Sequence, residues 1–548
     1  MDPFYLFCQS VLLCGVFLSV VKFLRGLGAT KQFRKFVNRR FSLDTVLMNW
    51  NRWDRFTVRQ LLSGGVLILG GPGSGKSSGS GKALFRSIVG NPHSNGLCLC
   101  AKPEDLDDFL GTFAAAERSE DVIVFAPTQP WRFNVLNHLY QTTNGSTHEV
   151  VQGILTIGEK LRSGGDGNRG EDAGFWKAQT ERLLYHTVQI VKLARNGVSA
   201  PDLQKFLNGA ATSVEQVHSP EWQAGEHHQW IKLAYASRNT SSHDAHDFEQ
   251  ALAFFVNEWP SMADRTRSSI MASVMGILHT FNCGQVRELI SGATNFSLED
   301  LNRRKWLIVN MPPSVWGDAG TLINVSLKYL LQKLILQRSA RETNGFTVIW
   351  CDEAQEFLCG EFDGRFLAQC RSHQGCMVAL TQSLHGLFSL MPGESGKEQA
   401  LALLACFHHR IFHALGSAED ANYASELLGR RPKIFMGGSI APVENIYEQL
   451  FGVSKVTSSF SEQMEAILPP RAFLNGLKRG GPENDFLVEG ILVRSGEPFS
   501  TRENWLSVSF RQQTAALPHS NSQRGDSSCT TNSNTSRVRI AHSRRASI

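Results

Sequence analysis

Near the start of the chain, eight residues have the types and the spacing of a loop that binds nucleotide phosphates. They follow the pattern Gly-x-x-x-x-Gly-Lys-Ser and comprise Gly70, Gly71, Pro72, Gly73, Ser74, Gly75, Lys76 and Ser77. In such a loop the glycines let backbone N–H groups point at phosphate oxygens, and the lysine adds a mobile positive charge. The final serine supplies a hydroxyl ligand for Mg²⁺. We therefore predict that these residues bind ATP and that Ser77 is a metal ligand.

The surroundings of this loop support the interpretation. It follows the apolar run Val66–Leu69 and opens onto a helical pattern from Ser78 to Val89, which is the strand–loop–helix context that the motif requires. A second Gly-Ser-Gly-Lys stretch ends at Lys82, but Ala83 stands where the metal-binding hydroxyl would be. Only the first copy is therefore predicted to bind phosphate.

Two adjacent acids, Asp352 and Glu353, end the apolar run Phe346–Cys351 and are a candidate metal ligand and a candidate general base. In ATPases with a phosphate loop, the first acid holds Mg²⁺ through water and the second polarises the attacking water. Because parallel strands end at one edge of a sheet, both acids should lie beside Lys76 and Ser77 if the two strands are neighbours. The pair favours ATP hydrolysis over kinase chemistry.

Two further polar residues are candidates for the same reaction. Gln382 follows the apolar run Met377–Leu380, and from that edge it could sense the γ-phosphate through the attacking water; alternatively it is a polar cap at a strand end. Arg371 lies between the two apolar runs and could neutralise phosphoryl charge on a neighbouring subunit's nucleotide. The residues alone leave a solvated surface arginine open as the other interpretation.

Short, continuously apolar runs indicate the elements that position these residues. Such runs indicate strands buried on both faces, as in a parallel sheet flanked by helices, so we predict an α/β fold. Besides the strand before the phosphate loop, the predicted strands are Leu97–Cys100, Val122–Phe125, Trp306–Val309, Phe346–Cys351, Met377–Leu380 and Arg410–Phe412. Helical spacing fills the gaps between them.

Changes of pattern divide the chain into five predicted parts. Between Gln141 and Pro260 helical spacing dominates and no strand is evident, which predicts an all-α domain inserted into the α/β domain. After Gln512 the chain is basic and rich in Ser, Thr and Asn, which is typical of disorder. The predicted parts are an anchor with a basic flank (1–40), a first part of the ATPase domain (41–140), the all-α insertion (141–260), a second part of the ATPase domain (261–511) and the tail (512–548).

The first residues predict a membrane anchor. Phe4 to Leu24 is almost wholly apolar and just long enough to cross a bilayer core of roughly 30 Å as a helix. The following stretch is basic, with no acid before Asp44, so the bulk of the chain should lie on the cytoplasmic side. A cleaved signal peptide would carry its positive charge before the apolar run, not after it. We expect one span and a location at the inner membrane.

Composition sets wide limits on the class of protein, its partners and the state of its cysteines. The 548 residues, with 42% hydrophobic and 19% charged residues, are those of a globular protein of several domains. The net charge of +5 does not by itself indicate nucleic acid as a partner. The 11 cysteines are scattered, without Cys-x-x-Cys pairs or zinc spacing, which favours reduced thiols in the cytosol.

Taken in order, these motifs make the chain resemble the coupling-protein ATPases of type IV secretion and conjugation, the TraG/TraD-like family. The likeness covers most of the chain from Phe4 to Phe510. Its most specific part is the order of the motifs, which are the N-terminal anchor, the phosphate loop, Ala101-Lys-Pro-Glu104, Phe125-Ala-Pro-Thr-Gln, Arg132-Phe-Asn-Val-Leu136, Phe175-Trp176, Thr266-Arg-Ser-Ser-Ile270, Asp352-Glu-Ala-Gln355, Arg371 and Thr381-Gln-Ser383.

The resemblance implies a RecA-like motor that forms a ring, expected to be a homo-hexamer, and that uses ATP and Mg²⁺. It implies delivery of single-stranded DNA with its relaxase, or of effector proteins, to a type IV secretion channel at the inner membrane. It also implies that Gln382 is the sensor and that Arg371 reaches across the subunit boundary. The chain departs from many relatives in having one membrane span, and Ala101 replaces a common acid.

Two other functions stay open at this point. One is a membrane-anchored docking module, in which the helical insertion recruits protein cargo and ATP only gates assembly. The other is a DNA translocase of the FtsK or HerA type. FtsK-type translocases normally carry more membrane spans and a C-terminal DNA-reading winged helix, which residues 512–548 cannot supply. Stimulation of ATP hydrolysis by DNA distinguishes a motor from a docking module.

Overall fold

A computed structural model describes residues 41–162, 173–238, 242–339, 343–388, 396–441 and 455–512. The predicted anchor, Phe4 to Leu24, and residues 513–548 of the predicted tail lie outside the described residues. Within the described residues, no helix combines the length and the apolar character that crossing a membrane requires. The described residues include most of the predicted ATPase domain and most of the helical region.

The centre of the fold is a nine-stranded sheet with the strand order β13-β12-β9-β3-β8-β7-β4-β6-β5. All neighbours from β9 to β5 pair in parallel, whereas β12 pairs antiparallel with both β9 and β13. The strands of this sheet are β3 Val66–Leu69, β4 Ser94–Leu99, β5 Val122–Phe125, β6 Trp306–Val309, β7 Phe346–Cys351, β8 Gly375–Thr381, β9 His409–Phe412, β12 Leu487–Arg494 and β13 Trp505–Arg511. This mainly parallel sheet confirms the predicted α/β class.

The strands predicted from continuous apolar runs are all present in the sheet, with small shifts at their ends. Each residue of β3, β4, β6, β7, β8 and β9 is buried, because helices cover both faces. Alternate residues of one strand therefore enter different cores. In β3, Val66 and Ile68 face one core cluster while Leu67 and Leu69 face the other.

Helices form a layer on each face of the sheet. The smaller core cluster includes Leu61, Leu84, Phe85, Phe109 and Phe113, so the first three helices pack on that face. The larger cluster holds most of the remaining apolar side chains. In chain order the helices are α1 Val58–Leu62, α2 Lys82–Val89, α3 Asp105–Ala115, α4 Val135–Thr142, α5 Thr147–Arg162, α6 Ala173–Arg195, α7 Ala200–Asn208, α8 Val214–Val217, α9 Pro220–Ala224, α10 Glu226–Ser237, α11 Ser242–Ala253, α12 Trp259–Ser261, α13 Asp264–Phe281, α14 Gly284–Ile290, α15 Pro313–Gln337, α16 Gly360–Gln369, α17 Leu384–Phe388, α18 Gly396–Ala405, α19 Ala418–Leu428 and α20 Pro470–Asn475.

The helical region between β5 and β6 contains α4 to α14 and, among its described residues, no strand. Its helices begin at Val135 and continue to Ile290, beyond both ends of the predicted insertion at 141–260. Apolar side chains of α5 and α6 share one core cluster with Leu67 and Leu69 of the sheet. The boundaries of an inserted domain therefore stay a prediction.

Two antiparallel hairpins lie outside the central sheet and were not predicted. A short one joins β1 Val46–Asn49 to β2 Arg55–Thr57. A longer one pairs β10 Arg430–Ala441 with β11 Lys455–Ala466, in a register that places Arg430 opposite Ala466. Several of its large apolar side chains, among them Met436 and Phe460, are exposed. Such strands mix polar and apolar residues, so they lack the continuous apolar run by which the buried strands are recognised.

Candidate functional site: the carboxyl edge of the parallel sheet

The predicted phosphate loop lies at the carboxyl edge of the sheet, where β3 ends between β8 and β9. The Gly70 N–H donates to the Thr381 carbonyl at 3.2 Å and the Gly71 N–H to the Ala414 carbonyl at 2.9 Å, so both neighbouring strands hold the start of the loop. Gly73 and Gly75 have φ values of 69° and 81°, in the left-handed region that glycine adopts without strain. A π-helical turn, Ser77–Gly81, then leads into α2.

The loop meets the predicted acids although their strands are not neighbours. This contact was expected if β3 and β7 were neighbours, but β8 lies between them. Nevertheless, the Lys76 ammonium lies 3.5 Å from a Glu353 carboxylate oxygen, and the Ser77 hydroxyl donates to Asp352. The contact forms although β3 and β7 are not neighbours, because one lysine side chain is long enough to reach over the end of a single intervening strand.

Glu353 is the centre of the site and is only 4% exposed. The Gln382 amide, directly after the intervening strand β8, donates to both carboxylate oxygens of Glu353 at 2.9 and 3.1 Å. The Lys102 ammonium donates to Oε1 at 2.7 Å, and the Gln355 amide donates to Oε2 at 3.0 Å. Burial raises the pKa of Glu353, but these donors and the charge of Lys76 outweigh burial and lower it to about 2. The carboxylate is therefore ionised at neutral pH.

The backbone of Glu353 is itself unusual, since its φ of 51° and ψ of 57° place it in the left-handed region. A residue with a Cβ adopts this conformation at a cost of about 1–3 kcal/mol, and such residues cluster at functional sites. The turn brings the Glu353 N–H to 2.9 Å from Asp352 Oδ1 and directs the two acids to different partners. Asp352 faces the serine of the loop, and Glu353 faces the lysines.

Two residues of this network were not predicted. Lys102 and Gln355 both lie in motifs that carry the family resemblance, but no pattern in the sequence assigns either residue a role. Gln355 is held by two further contacts, because its Oε1 accepts from the Thr381 hydroxyl at 3.0 Å and its carbonyl from the Lys160 ammonium at 2.7 Å. Lys160 belongs to α5, so the helical region touches the loop that follows the candidate base.

Ser77 and Asp352 are a donor set that fits Mg²⁺. Burial raises the pKa of Asp352, and the charge of Lys76 and the hydrogen bond from Ser77 oppose that rise. The positive charge of a bound divalent cation would also oppose that rise and hold the Asp352 carboxylate ionised. Within the described part of the chain no group of three or more His, Cys, Asp or Glu side chains is placed to hold a metal ion. Mg²⁺ is usually held by one or two protein oxygens and completes its shell with waters and substrate phosphates, so Ser77 and Asp352 would be enough protein ligands for it.

One buried hydroxyl group of the loop has no hydrogen-bond partner among the described residues. The Ser74 hydroxyl is buried, with 1% of the residue exposed, and has no hydrogen-bond partner among the described residues. A Cβ built on Gly73 would meet no atom within 4 Å, so the surface of the loop is open at that point. An unpaired buried hydroxyl is costly unless a ligand completes it. These observations fit a phosphate group at this loop.

Arg371 does not lie at this site. It belongs to the turn Cys370–His373 before β8 and is exposed, whereas Gln382 follows the other end of the same strand. β8 has seven residues, so at about 3.3 Å per residue the two ends are roughly 20 Å apart. Arg371 therefore cannot contact the phosphate loop of its own chain, and a role as a finger on a neighbouring subunit stays a prediction.

The sequence of this chain matches the model of one known protein family. A sequence model of the family described as "Type IV secretory system Conjugative DNA transfer" matches residues 114–471, which is more than half of the chain. The match begins after the phosphate loop, so it does not rest on that motif. None of the curated proteins matches this sequence.

Solved structures of one coupling protein share the fold. The unbound monoclinic form of the bacterial conjugative coupling protein TrwBdeltaN70 superposes with a TM-score of 0.55 at 16% identity, covering 88% of this chain and 91% of that one. The plasmid coupling protein TrwB in complex with ADP and Mg²⁺ has a TM-score of 0.55 at 15% identity, covering 88% and 93%. TrwB in complex with the non-hydrolysable GTP analogue GDPNP gives a TM-score of 0.55 at 14% identity with the same coverage.

Proposed function

This chain belongs to the type IV secretory system conjugative DNA transfer family, and we propose that it is an ATP-hydrolysing motor of that process. The observation that carries this proposal is the meeting of Lys76, Glu353 and Gln382 at one edge of the sheet. These residues follow the carboxyl ends of three strands that are adjacent in the sheet, in the order β3, β8 and β7. They supply a carboxylate base with a phosphate-binding cation and a polar sensor in contact with it.

In the proposed reaction each residue has a separate task. Lys76 and the N–H groups of the loop bind the phosphates, and the unpaired Ser74 hydroxyl lies within the same loop. Ser77 and Asp352 would hold Mg²⁺, which neutralises charge that develops on the phosphate oxygens. Glu353 accepts a proton from the attacking water, and Gln382 orients that water from the adjacent strand.

The support for ATP and Mg²⁺ comes from the fit of this site and from related structures. TrwB is described in complex with ADP and Mg²⁺ and with the non-hydrolysable ATP analogue ADPNP. It is also described with a GTP analogue, so the base preference of this chain is part of the proposal. Because identity to TrwB is 14–16%, these complexes support a nucleotide at the phosphate loop by analogy of fold.

The cargo, the assembly and the location complete the proposal. We propose that single-stranded DNA with its relaxase, or an effector protein, passes to a type IV secretion channel. A ring of six copies would place the exposed Arg371 of one subunit at the nucleotide of the next. The apolar run Phe4 to Leu24 would anchor each subunit in the inner membrane by one span, with the rest of the chain in the cytoplasm.

The decisive experiment is ATP hydrolysis by the purified full chain with and without single-stranded DNA. A motor should turn over faster with DNA, and Lys76→Ala should abolish turnover in both conditions because the phosphates lose their charge partner. Lys82→Ala is the matched control, since Lys82 belongs to the second Gly-Ser-Gly-Lys stretch and pairs with Asp108 on the surface. An equal rate of hydrolysis with and without DNA would favour the docking function. No hydrolysis under either condition would refute the proposal.

A further inference from the structure

The carboxylate of the candidate base is fully occupied by donors. Oε1 of Glu353 accepts from Lys102 at 2.7 Å and from Gln382 at 2.9 Å, and it pairs with Lys76 at 3.5 Å. Oε2 accepts from Gln355 at 3.0 Å and from Gln382 at 3.1 Å. A carboxylate offers about four lone-pair sites, so the four contacts that remain when Lys76 turns to a phosphate still leave none for water. In this arrangement Glu353 cannot accept a proton from an attacking water until a donor leaves.

Lys102 is the donor best placed to leave. Its side chain is 51% exposed, whereas that of Lys76 is 9% exposed and belongs to the phosphate loop. Gln355 is tied down by Thr381. The exposed Lys102 ammonium can exchange Glu353 for water, and Glu353 keeps its other donors, so this ion pair is reversible. Lys102 can therefore exchange between Glu353 and solvent while the rest of the network stays in place.

The backbone that carries Lys102 is fixed, so only its side chain has this freedom. β4 pairs with β7 so that Leu99 lies opposite Cys351, and Lys102 therefore emerges beside Glu353. The turn that leads from β4 to Lys102 is held by Asp105, whose Oδ2 accepts from the Ala101 and Lys102 N–H groups at 2.8 and 2.9 Å. The charges that face the Lys102 ammonium are those of Glu353, Asp352 and Asp105.

We propose that Lys102 is a positioning residue that restrains Glu353 in a resting arrangement, and that hydrolysis requires Lys102 to leave the carboxylate. This inference rests on the proposed function, since it assigns Glu353 the part of the base. It makes the ion pair between Lys102 and Glu353 a restraint on basal turnover. The chain would then hydrolyse ATP slowly until some other contact removes Lys102 from Glu353.

Substitution of Lys102 tests the restraint. In the purified full chain without DNA, Lys102→Met should raise kcat about two- to fivefold, the range expected when a half-exposed ion pair is lost. The affinity for ATP should stay unchanged, and Lys102→Arg, which keeps the charge, should restore the low rate. Lys82→Met, which also removes a lysine from an ion pair, should leave kcat unchanged. An unchanged or lower kcat in Lys102→Met would overturn the proposal, as would weaker ATP binding, which indicates a phosphate ligand.

A second measurement needs no nucleotide. Acylation by an amine-reactive ester, followed residue by residue with mass spectrometry, should label Lys102 slowly because its ammonium is engaged by Glu353. In Glu353→Gln the labelling of Lys102 should become severalfold faster, while Lys82 should not change. Equal labelling of Lys102 in both chains would show that the pair does not form in solution. A wild type without turnover would refute the proposed function, whereas a kcat that falls in Lys102→Met refutes the restraint alone.

Discussion

Lys328 and Asp363 form an ion pair that is completely buried, with side chains 1% and 0% exposed, and its removal should destabilise the fold strongly. The ammonium of Lys328, on α15, lies 2.7 and 2.5 Å from the two carboxylate oxygens of Asp363, on α16. The Gln332 amide donates to the same carboxylate at 2.7 Å, and the Cys359 N–H also donates to it. The pair thus ties α15 to the segment that follows Glu353.

The perturbation is Asp363→Ala. It removes the only carboxylate in contact with Lys328 among the described residues and leaves two further donors without their acceptor. Removing one partner of a buried ion pair costs about 3–5 kcal/mol. Burial lowers the pKa of Lys328, whereas Asp363 outweighs burial and raises it, so in Asp363→Ala the ammonium should lose its proton more readily. That neutralisation limits the loss, and we expect about 3 kcal/mol.

The double variant Lys328→Met/Asp363→Leu separates the charge from the packing. An apolar pair of similar volume should recover most of the loss, since replacing both partners is often neutral. The measurement is hydrogen exchange in peptides covering α15 and α16, because a chain with several parts need not unfold in one step. Exchange that is as slow in Asp363→Ala as in wild type, or as fast in the double variant as in the single one, would refute the reasoning.

Four shorter predictions address other parts of the molecule. Glu353→Gln should bind ATP at least as well as wild type, because Lys76 loses its competing carboxylate, but turnover should fall about 10²- to 10⁴-fold; normal turnover would remove Glu353 from the mechanism. Arg371→Ala should bind ATP normally and hydrolyse it about 10³- to 10⁵-fold more slowly, and mixing it with Lys76→Ala should restore part of the rate if the finger acts between subunits; full activity of Arg371→Ala alone would exclude a finger. Burial lowers the pKa of His227 from its ordinary value of 6.5 to about 4. As the pH falls below 6.5, the unfolded chain takes up the proton first, so the free energy of unfolding decreases. The thermal midpoint of His227→Phe should therefore drop less than that of wild type between about pH 7 and pH 5. A chain that begins near Arg40 should bind ATP and remain outside the membrane fraction, and its retention with membranes after an alkaline wash would contradict a single anchor in the preceding residues.

The sequence predicts much of the site because its motifs are local. Continuous apolar runs locate the parallel strands, and polar residues directly after such runs locate the edge at which they meet. This reasoning found Lys76, Ser77, Asp352, Glu353 and Gln382, and the structure brings all five together. The sequence placed the two acids beside Lys76 and Ser77 but did not predict which acid meets which residue, since the contact between Lys76 and Glu353 depends on the reach of side chains past β8.

What the sequence does not reveal is the order of the strands, and with it the role of Lys102. Lys102 is close to Glu353 only because β4 is the neighbour of β7 and because Leu99 lies opposite Cys351. Neither fact follows from a local pattern, since β4 and β7 are separated by β5, β6 and the whole helical region. Lys160 is a similar case, because α5 reaches the Gln355 carbonyl from that helical region.

The strand order also explains why the catalytic network and the candidate finger can be tested separately. Four strands that are consecutive in the sheet, β3, β8, β7 and β4, are each followed by a residue of the network, which are Lys76, Gln382, Glu353 and Lys102. Arg371 precedes the opposite end of β8, roughly 20 Å from Gln382, and makes no contact with this network. Replacing Arg371 should therefore leave every donor to Glu353 in place. A loss of turnover in Arg371→Ala, with Lys102 still protected from acylation, would have to come from another subunit and not from a disturbed base.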